Sequence, residues 1–186
     1  MSRYPASAPS QSQSRQAQPL RDVYVLPGEV RVATFPTRFL TILGSCVAVC
    51  LYDRVHGVGG LNHYLLPGSP PPDEKDRTRW SETAIDVLFQ KVLAAGARSD
   101  CLEAKIFGGA RISARDVPDA LRIGDRNVEE AIVALRQRGI EMVNRSTGGN
   151  VGRKIIFESN TGVVWVRALT RSNETTPEGG QPAERR

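Results

Sequence analysis

Residues 43–67 read LGSCVAVCLYDRVHGVGGLNHYLLP, and the folding of this stretch decides the architecture. Two apolar runs, Cys46–Tyr52 and Val58–Leu66, are separated only by Asp-Arg-Val-His-Gly at 53–57. Runs of strand length divided by polar and glycine punctuation predict a β-hairpin. A turn centred between Arg54 and Val55 sets Cys46 directly across from His63, with Cβ atoms ~4.5–5.5 Å apart on one face. Gly59-Gly60 is a candidate bulge, and one extra residue there reverses which side chains share a face.

Working outward, six further runs rich in Val, Ile and Phe read as strands: Glu29–Phe35, Phe39–Leu43, Ala104–Phe107, Ile140–Arg145, Lys154–Glu158 and Val163–Leu169. Two segments carry the helical period instead. In Ser81–Ala95, Ile85, Leu88, Phe89, Val92 and Leu93 line one face, with Ser81 as N-cap and Gly96 past the end. In Val128–Arg138, Ile132 and Leu135 repeat, Asn127 with Glu130 suggests an N-cap pair, and Gly139 ends the helix. Many strands with few helices predict an α+β fold, in which two layers of strand are packed together and helices cover the outside.

The globular pattern runs from Val23 to Thr170 as one domain. Residues 1–22 and 171–186 are rich in Ser, Gln, Pro, Gly and charge, and are expected to be disordered tails because they bury too little to offset their ordering entropy. A single domain of this size needs no staple. No apolar run reaches the ~18 residues of a membrane span, and no signal peptide opens the chain. The odd count of 3 Cys fits free thiols in a cytoplasmic protein. The net charge of +5 is dispersed arginine and not a basic stripe, so a nucleic-acid partner is not expected.

Few groups suit neutral-pH chemistry. Cys46 and His63 across a hairpin form a thiol–imidazole pair, in which an imidazolium favours the thiolate and then serves as acid and base. Gly44 and Ser45 just before the cysteine allow a tight turn that offers backbone N–H groups to an oxyanion. Two other readings stand beside this one. A strand cysteine can be a small hydrophobe, and Cys46, Cys50 and His63 with Cys101 or His56 would number enough ligands for zinc, although the spacing is not that of a tight-turn site. Gly108-Gly109-Ala110 lacks the helix and Lys-Ser/Thr pair of a phosphate loop, and Gly148–Gly152 reads as a wide hairpin turn.

The chain resembles the CheD family of chemoreceptor glutamine deamidases. The resemblance is carried by LGSCVAVCLYD at 43–53 and GGLNHYLLP at 59–67, and further by KIFGGA at 105–110, IGDRN at 123–127 and TGGNVGRK at 147–154. It implies a mixed β-sandwich flanked by helices and hydrolysis of specific glutamine side chains in methyl-accepting chemotaxis receptors. Cys46 would be the nucleophile and His63 its acid/base partner. A threonine shortly before the cysteine would help hold the histidine. Leu40 stands six residues before Cys46, and Thr41, five before, is the candidate. No metal or cofactor is implied; the receptor cytoplasmic domain and, in many bacteria, a CheC-family phosphatase are the implied partners. The rival reading is a non-enzymatic adaptor that binds receptors or such a phosphatase.

Overall fold

A computed structural model describes residues 20–111 and 122–169. Nine strands and two helices follow in the order β1 Arg21–Tyr24, β2 Val30–Ala33, β3 Thr37–Leu43, β4 Val47–Asp53, β5 Val58–Asn62, α1 Ser81–Ala94, β6 Leu102–Gly108, α2 Ile123–Gln137, β7 Glu141–Thr147, β8 Arg153–Glu158 and β9 Val164–Ala168. They make a four-stranded sheet, β1-β3-β8-β9, and a five-stranded sheet, β2-β5-β4-β6-β7. Each is mixed, because β1 runs parallel to β3, and β6 to β7, among otherwise antiparallel pairs. The expected α+β sandwich of two packed mixed sheets is therefore the observed fold. Strand β1 begins within the expected 1–22 tail, while residues 1–19 and the 171–186 tail lie outside the described residues.

The layers follow from side-chain alternation. Phe39, Leu43, Ile155 and Phe157 from the smaller sheet meet Ala48, Cys50, Leu61 and Phe107 from the larger one in an inter-sheet core. The opposite face of the larger sheet, with Val47, Val49, Leu51, Ala104 and Ile106, is covered by Ile85, Leu88 and Val92 of α1 and by Ala131 and Leu135 of α2. Both helices thus lie on one sheet only, and among the described residues no helix covers the outer face of the other. Helices were expected over the outside generally. The two apolar helical stripes are instead spent on the sheet whose strands are apolar on both faces, as β4 is along almost its whole length.

The β4–β5 hairpin forms, in a different register. Asp53 pairs with Val58 and Cys50 with Leu61, so the turn is a four-residue loop centred one position later than expected. Asp53 is the cause. Its Oδ1 accepts the Val55 and His56 N–H groups at 2.8 and 3.0 Å, which winds the chain one residue further before it returns. Gly59 and Gly60 are not a bulge, since both pair regularly with Tyr52 and Leu51. They mark close approaches: a Cβ on Gly59 would lie 2.5 Å from the Ser159 carbonyl, and one on Gly60 2.8 Å from Leu88 of α1.

Three further expectations change. Ser81 does not cap α1; its hydroxyl accepts the Gly68 N–H at 2.8 Å. Helix α2 starts at Ile123, so Asn127 lies one turn inside it and not at its N-cap. The 148–152 loop is not a hairpin turn, because β7 and β8 belong to different sheets and the loop crosses between them. Gly96 and Gly139 do end their helices, with φ of +101° and +65°.

Candidate active site

Cys46 lies just before β4 and His63 just after β5, at the open end of the hairpin. In the observed register Val47 pairs with Tyr64 and Ala48 stands across from His63, so Cys46 and His63 are diagonal neighbours and not directly opposed. A register moved by two residues keeps the alternation, and both side chains remain on the inter-sheet face. Such diagonals are ~7–8 Å apart between Cα atoms, within reach of long side chains. No hydrogen bond joins the two among the described residues, and His63 Nε2 is buried without a partner.

The histidine is held from three sides. Its N–H donates to the Glu29 carbonyl at 3.0 Å, and its carbonyl accepts the Gly28 N–H at 2.7 Å. The Asn62 side chain next to it enters the ladder, where Oδ1 accepts the Val49 N–H at 2.8 Å. The ring is fixed by Thr41 on the facing sheet, with Oγ1 2.9 Å from Nδ1. The side chain that reaches the ring is therefore Thr41, and Leu40 lies on the other face of β3. Thr41 also sets the tautomer. Its Oγ1 lies 2.7 Å from the Val25 carbonyl oxygen, and only the threonine can supply the proton between these two oxygens. The hydroxyl must then accept from Nδ1–H, which leaves Nε2 as a bare lone pair.

Burial governs the charge state of both groups. It pushes the Cys46 thiol above its usual range, against a smaller downward pull from the main-chain N–H of Cys46 itself. Burial likewise pulls His63 below the usual imidazole range, against a smaller upward pull from the Val25 carbonyl. Both shifts favour the neutral thiol and the neutral imidazole over the ion pair. Cys50, fully enclosed in the inter-sheet core, is held protonated by burial.

The loop that carries Cys46 is braced from outside the sheets. The Gly44 carbonyl accepts the Ala110 N–H at 2.8 Å and the Cys46 carbonyl the Gly109 N–H at 2.8 Å. Gly108 has φ +109°, and a Cβ there would fall 2.1 Å from the Cys46 oxygen, so the segment can only be glycine. Gly148 N–H donates to the Gly108 carbonyl at 3.0 Å, and the buried Arg153 guanidinium donates to the Ser146 and Gly148 carbonyls. The Gly-Gly-Ala and Gly-Arg-Lys segments, unassigned from spacing, thus brace the loop that carries Cys46.

The other thiols and His56 lie elsewhere. Asp53, His56 and Cys101 bring ligand atoms within 4.8 Å of one another at the turn end of β4, away from Cys46 and His63. Cys46, Cys50 and His63, with Cys101 or His56 as the fourth ligand of the zinc reading, are spread along the whole strand. Even the local trio has little to offer a cation. Each Asp53 oxygen already accepts two donors, Oδ2 taking the His56 Nδ1–H at 2.7 Å and the Arg98 N–H at 2.8 Å.

Comparison with known proteins settles the family. Residues 65–168 match the family model described as CheD chemotactic sensory transduction. The chain belongs to the CheD family. Over 147 residues it is 43% identical to a "Probable chemoreceptor glutamine deamidase CheD 1" of Anaeromyxobacter dehalogenans, covering 79% of this chain and 84% of that protein. It is 46% identical over 140 residues to a "Probable chemoreceptor glutamine deamidase CheD" of Rhizobium leguminosarum, covering 74% of each. A relative of the same name from Trichlorobacter lovleyi is 41% identical over 161 residues, 84% of this chain and 96% of that protein. Among the described residues no helix is long and apolar enough to cross a membrane.

Proposed function

We propose that this CheD-family protein hydrolyses the side-chain amide of specific glutamines in the cytoplasmic domains of methyl-accepting chemotaxis receptors, releasing ammonia and leaving glutamate. Its relatives bear the name of that activity. The observation that carries the reading to named residues is the buried His63 ring, anchored at Nδ1 by Thr41 and left with Nε2 as its only proton acceptor.

From the neutral resting pair, substrate binding and a side-chain rotation bring Sγ to Nε2. The thiol proton passes to Nε2 as Sγ forms a bond to the carboxamide carbon, and the carbonyl π pair moves onto oxygen. Backbone N–H groups of the Gly44-Ser45-Cys46 turn hold that oxyanion. The imidazolium then protonates the departing nitrogen, the C–N bond breaks, and ammonia leaves a thioester. Water gives a proton to Nε2 and attacks the thioester; the tetrahedral adduct collapses with return of that proton to sulfur, releasing glutamate and the free thiol. Every step uses groups of the chain and water. A CheC-type phosphatase is the partner that CheD family membership suggests.

The deciding experiment incubates the protein with receptor cytoplasmic fragments and reads a mass gain of one dalton per converted glutamine. Cys46→Ala is expected to lower the rate by at least about 10⁴-fold with an unchanged melting temperature. Undiminished conversion by that variant defeats the nucleophile assignment. Receptor binding without conversion by the unaltered protein makes it an adaptor.

A further inference from the structure

We infer that Asn127 is a positioning residue for the reaction, aiming the Ser45–Cys46 peptide so that the Cys46 N–H faces the oxyanion. The inference rests on the assignment of Cys46 as nucleophile and extends it to a residue on a different element. The Asn127 side chain lies at the buried junction of α2 with the hairpin. Its Nδ2 donates to the Ser45 carbonyl at 3.1 Å and to the Leu65 carbonyl at 2.9 Å. Both partners are acceptors only, which fixes the amide orientation.

Consequences follow from peptide planarity. In a trans peptide the C=O and the following N–H point in opposite directions. The Gly44, Ser45 and Cys46 carbonyls are held by Ala110 N–H, Asn127 Nδ2 and Gly109 N–H respectively. The Ser45, Cys46 and Val47 N–H groups are therefore each turned the other way. Val47 N–H is used by the Tyr64 carbonyl at 3.1 Å. Cys46 N–H belongs to the peptide whose carbonyl Asn127 holds, on the same residue as the sulfur and three bonds from it. When that sulfur bonds to a carbonyl carbon, the oxygen on the carbon lies next to this N–H. Of the three anchors, two are main-chain groups, and Asn127 is the one contributed by a side chain. It holds the peptide whose N–H matters.

The choice of asparagine follows from the geometry. One short side chain must supply two donors to two carbonyls, one preceding Cys46 and one two residues beyond His63. Serine has one donor, alanine and aspartate have none, and a lysine would bring charge into a buried site. Asn127 Oδ1 is buried with no partner among the described residues, so both of the bonds that fix this side chain are made by Nδ2. The approach is made by glycines one turn earlier. A Cβ on Gly124 would lie 2.8 Å from the Gly109 carbonyl, and one on Gly109 2.4 Å from Val128. Tyr64 OH completes the junction by donating to the Asn127 main-chain carbonyl.

The test compares acyl transfer with alkylation in the full chain. Asn127→Ala is expected to lower kcat for receptor-fragment deamidation about 10²-fold, at the low end for loss of an oxyanion donor, with KM changed little. Alkylation of Cys46 by iodoacetamide, followed by peptide mass, develops no oxyanion and should change no more than about 3-fold on the same scale of argument. Asn127→Ser, with one donor, should recover part of kcat. Unchanged kcat in Asn127→Ala overturns the inference. So does an equal loss of kcat and alkylation, or failure of both variants to fold, since either makes Asn127 a structural support only. Activity in Cys46→Ala would instead remove the nucleophile assignment beneath it, so the two failures are told apart.

Discussion

At the turn end of the β4–β5 ribbon, His56 and Cys101 gather around Asp53; at the open end, His63 and Cys46 lie beside Thr41 and Asn127. Both ends combine a thiol, an imidazole and polar neighbours. At the turn end the carboxylate is fully enclosed and all its acceptor sites are filled by Val55, His56 and Arg98. Burial alone would push the Asp53 carboxyl up, but N–H groups of Arg98 and His56, the His56 ring and Val55 N–H outweigh it and hold it at about 2. At the open end His63 Nε2, Asn127 Oδ1 and Asn62 Nδ2 are all buried and unpartnered. Similar residues thus make a closed fastening at one end and leave unpartnered buried polar atoms at the other. Unsatisfied buried polar groups destabilise a fold, and they are the groups a reaction can use.

Substitutions can separate the two ends. After Cys46→Ala, the largest effect expected is that of His63→Gln, which removes the proposed acid/base and should lower kcat by about 10²–10⁴-fold, read by mass gain on receptor fragments. In the unaltered protein, a His63 held below the usual imidazole range keeps its base form until the pH falls below 6.5, so the acid limb of kcat/KM should lie under that value. An acid limb above pH 6.5 would contradict a neutral, buried base. Thr41→Val keeps the shape and loses the Nδ1 anchor. Loss of about 1–2 kcal/mol of orientation corresponds to roughly five- to thirty-fold in kcat.

The turn end should answer in the opposite currency. Asp53→Asn leaves donors facing an amide and should cost about 1–3 kcal/mol of stability, seen in chemical denaturation, while kcat stays within experimental spread. Because the Asp53 carboxyl is lowered by folding, its contribution is complete above the ordinary carboxylate range. It drains away as the pH falls from about 4 towards 2. Denaturation curves of wild type and Asp53→Asn should accordingly converge in acid. Persistent separation at pH 2 would mean that the carboxylate's charge is not what matters.

Most strands were legible because Val, Ile and Phe runs are bounded by Gly, Pro and Asn, and the shared face of Cys46 and His63 was legible because a strand repeats every two residues. The register was not, because it depends on the Asp53 carboxylate folding back onto Val55 and His56. Two adjacent glycines read as a bulge, when their meaning is contact with Ser159 and Leu88, residues distant in sequence. Asn127 looked like a cap because asparagine favours that place. Its tertiary role depends on Gly124 and Gly109, from different elements, meeting closely. The shifts that favour a neutral thiol and imidazole could not be read either, since spacing conveys proximity and not desolvation. Thr41 was reachable on family resemblance alone; nothing in local pattern ties a strand threonine to a ring on the facing sheet.

The placement of the three sulfurs has a chemical consequence of its own. Cys46 and Cys50 are four residues apart on an extended chain, roughly 13 Å, and Cys101 sits beyond the far end of the same strand, next to Leu102, which pairs with Asp53. A disulfide requires Cα atoms closer than about 7 Å, so the native fold closes none among them. A sulfenic acid formed at Cys46 by peroxide would find no resolving thiol within the molecule. Its rescue from over-oxidation would fall to small thiols arriving from solution.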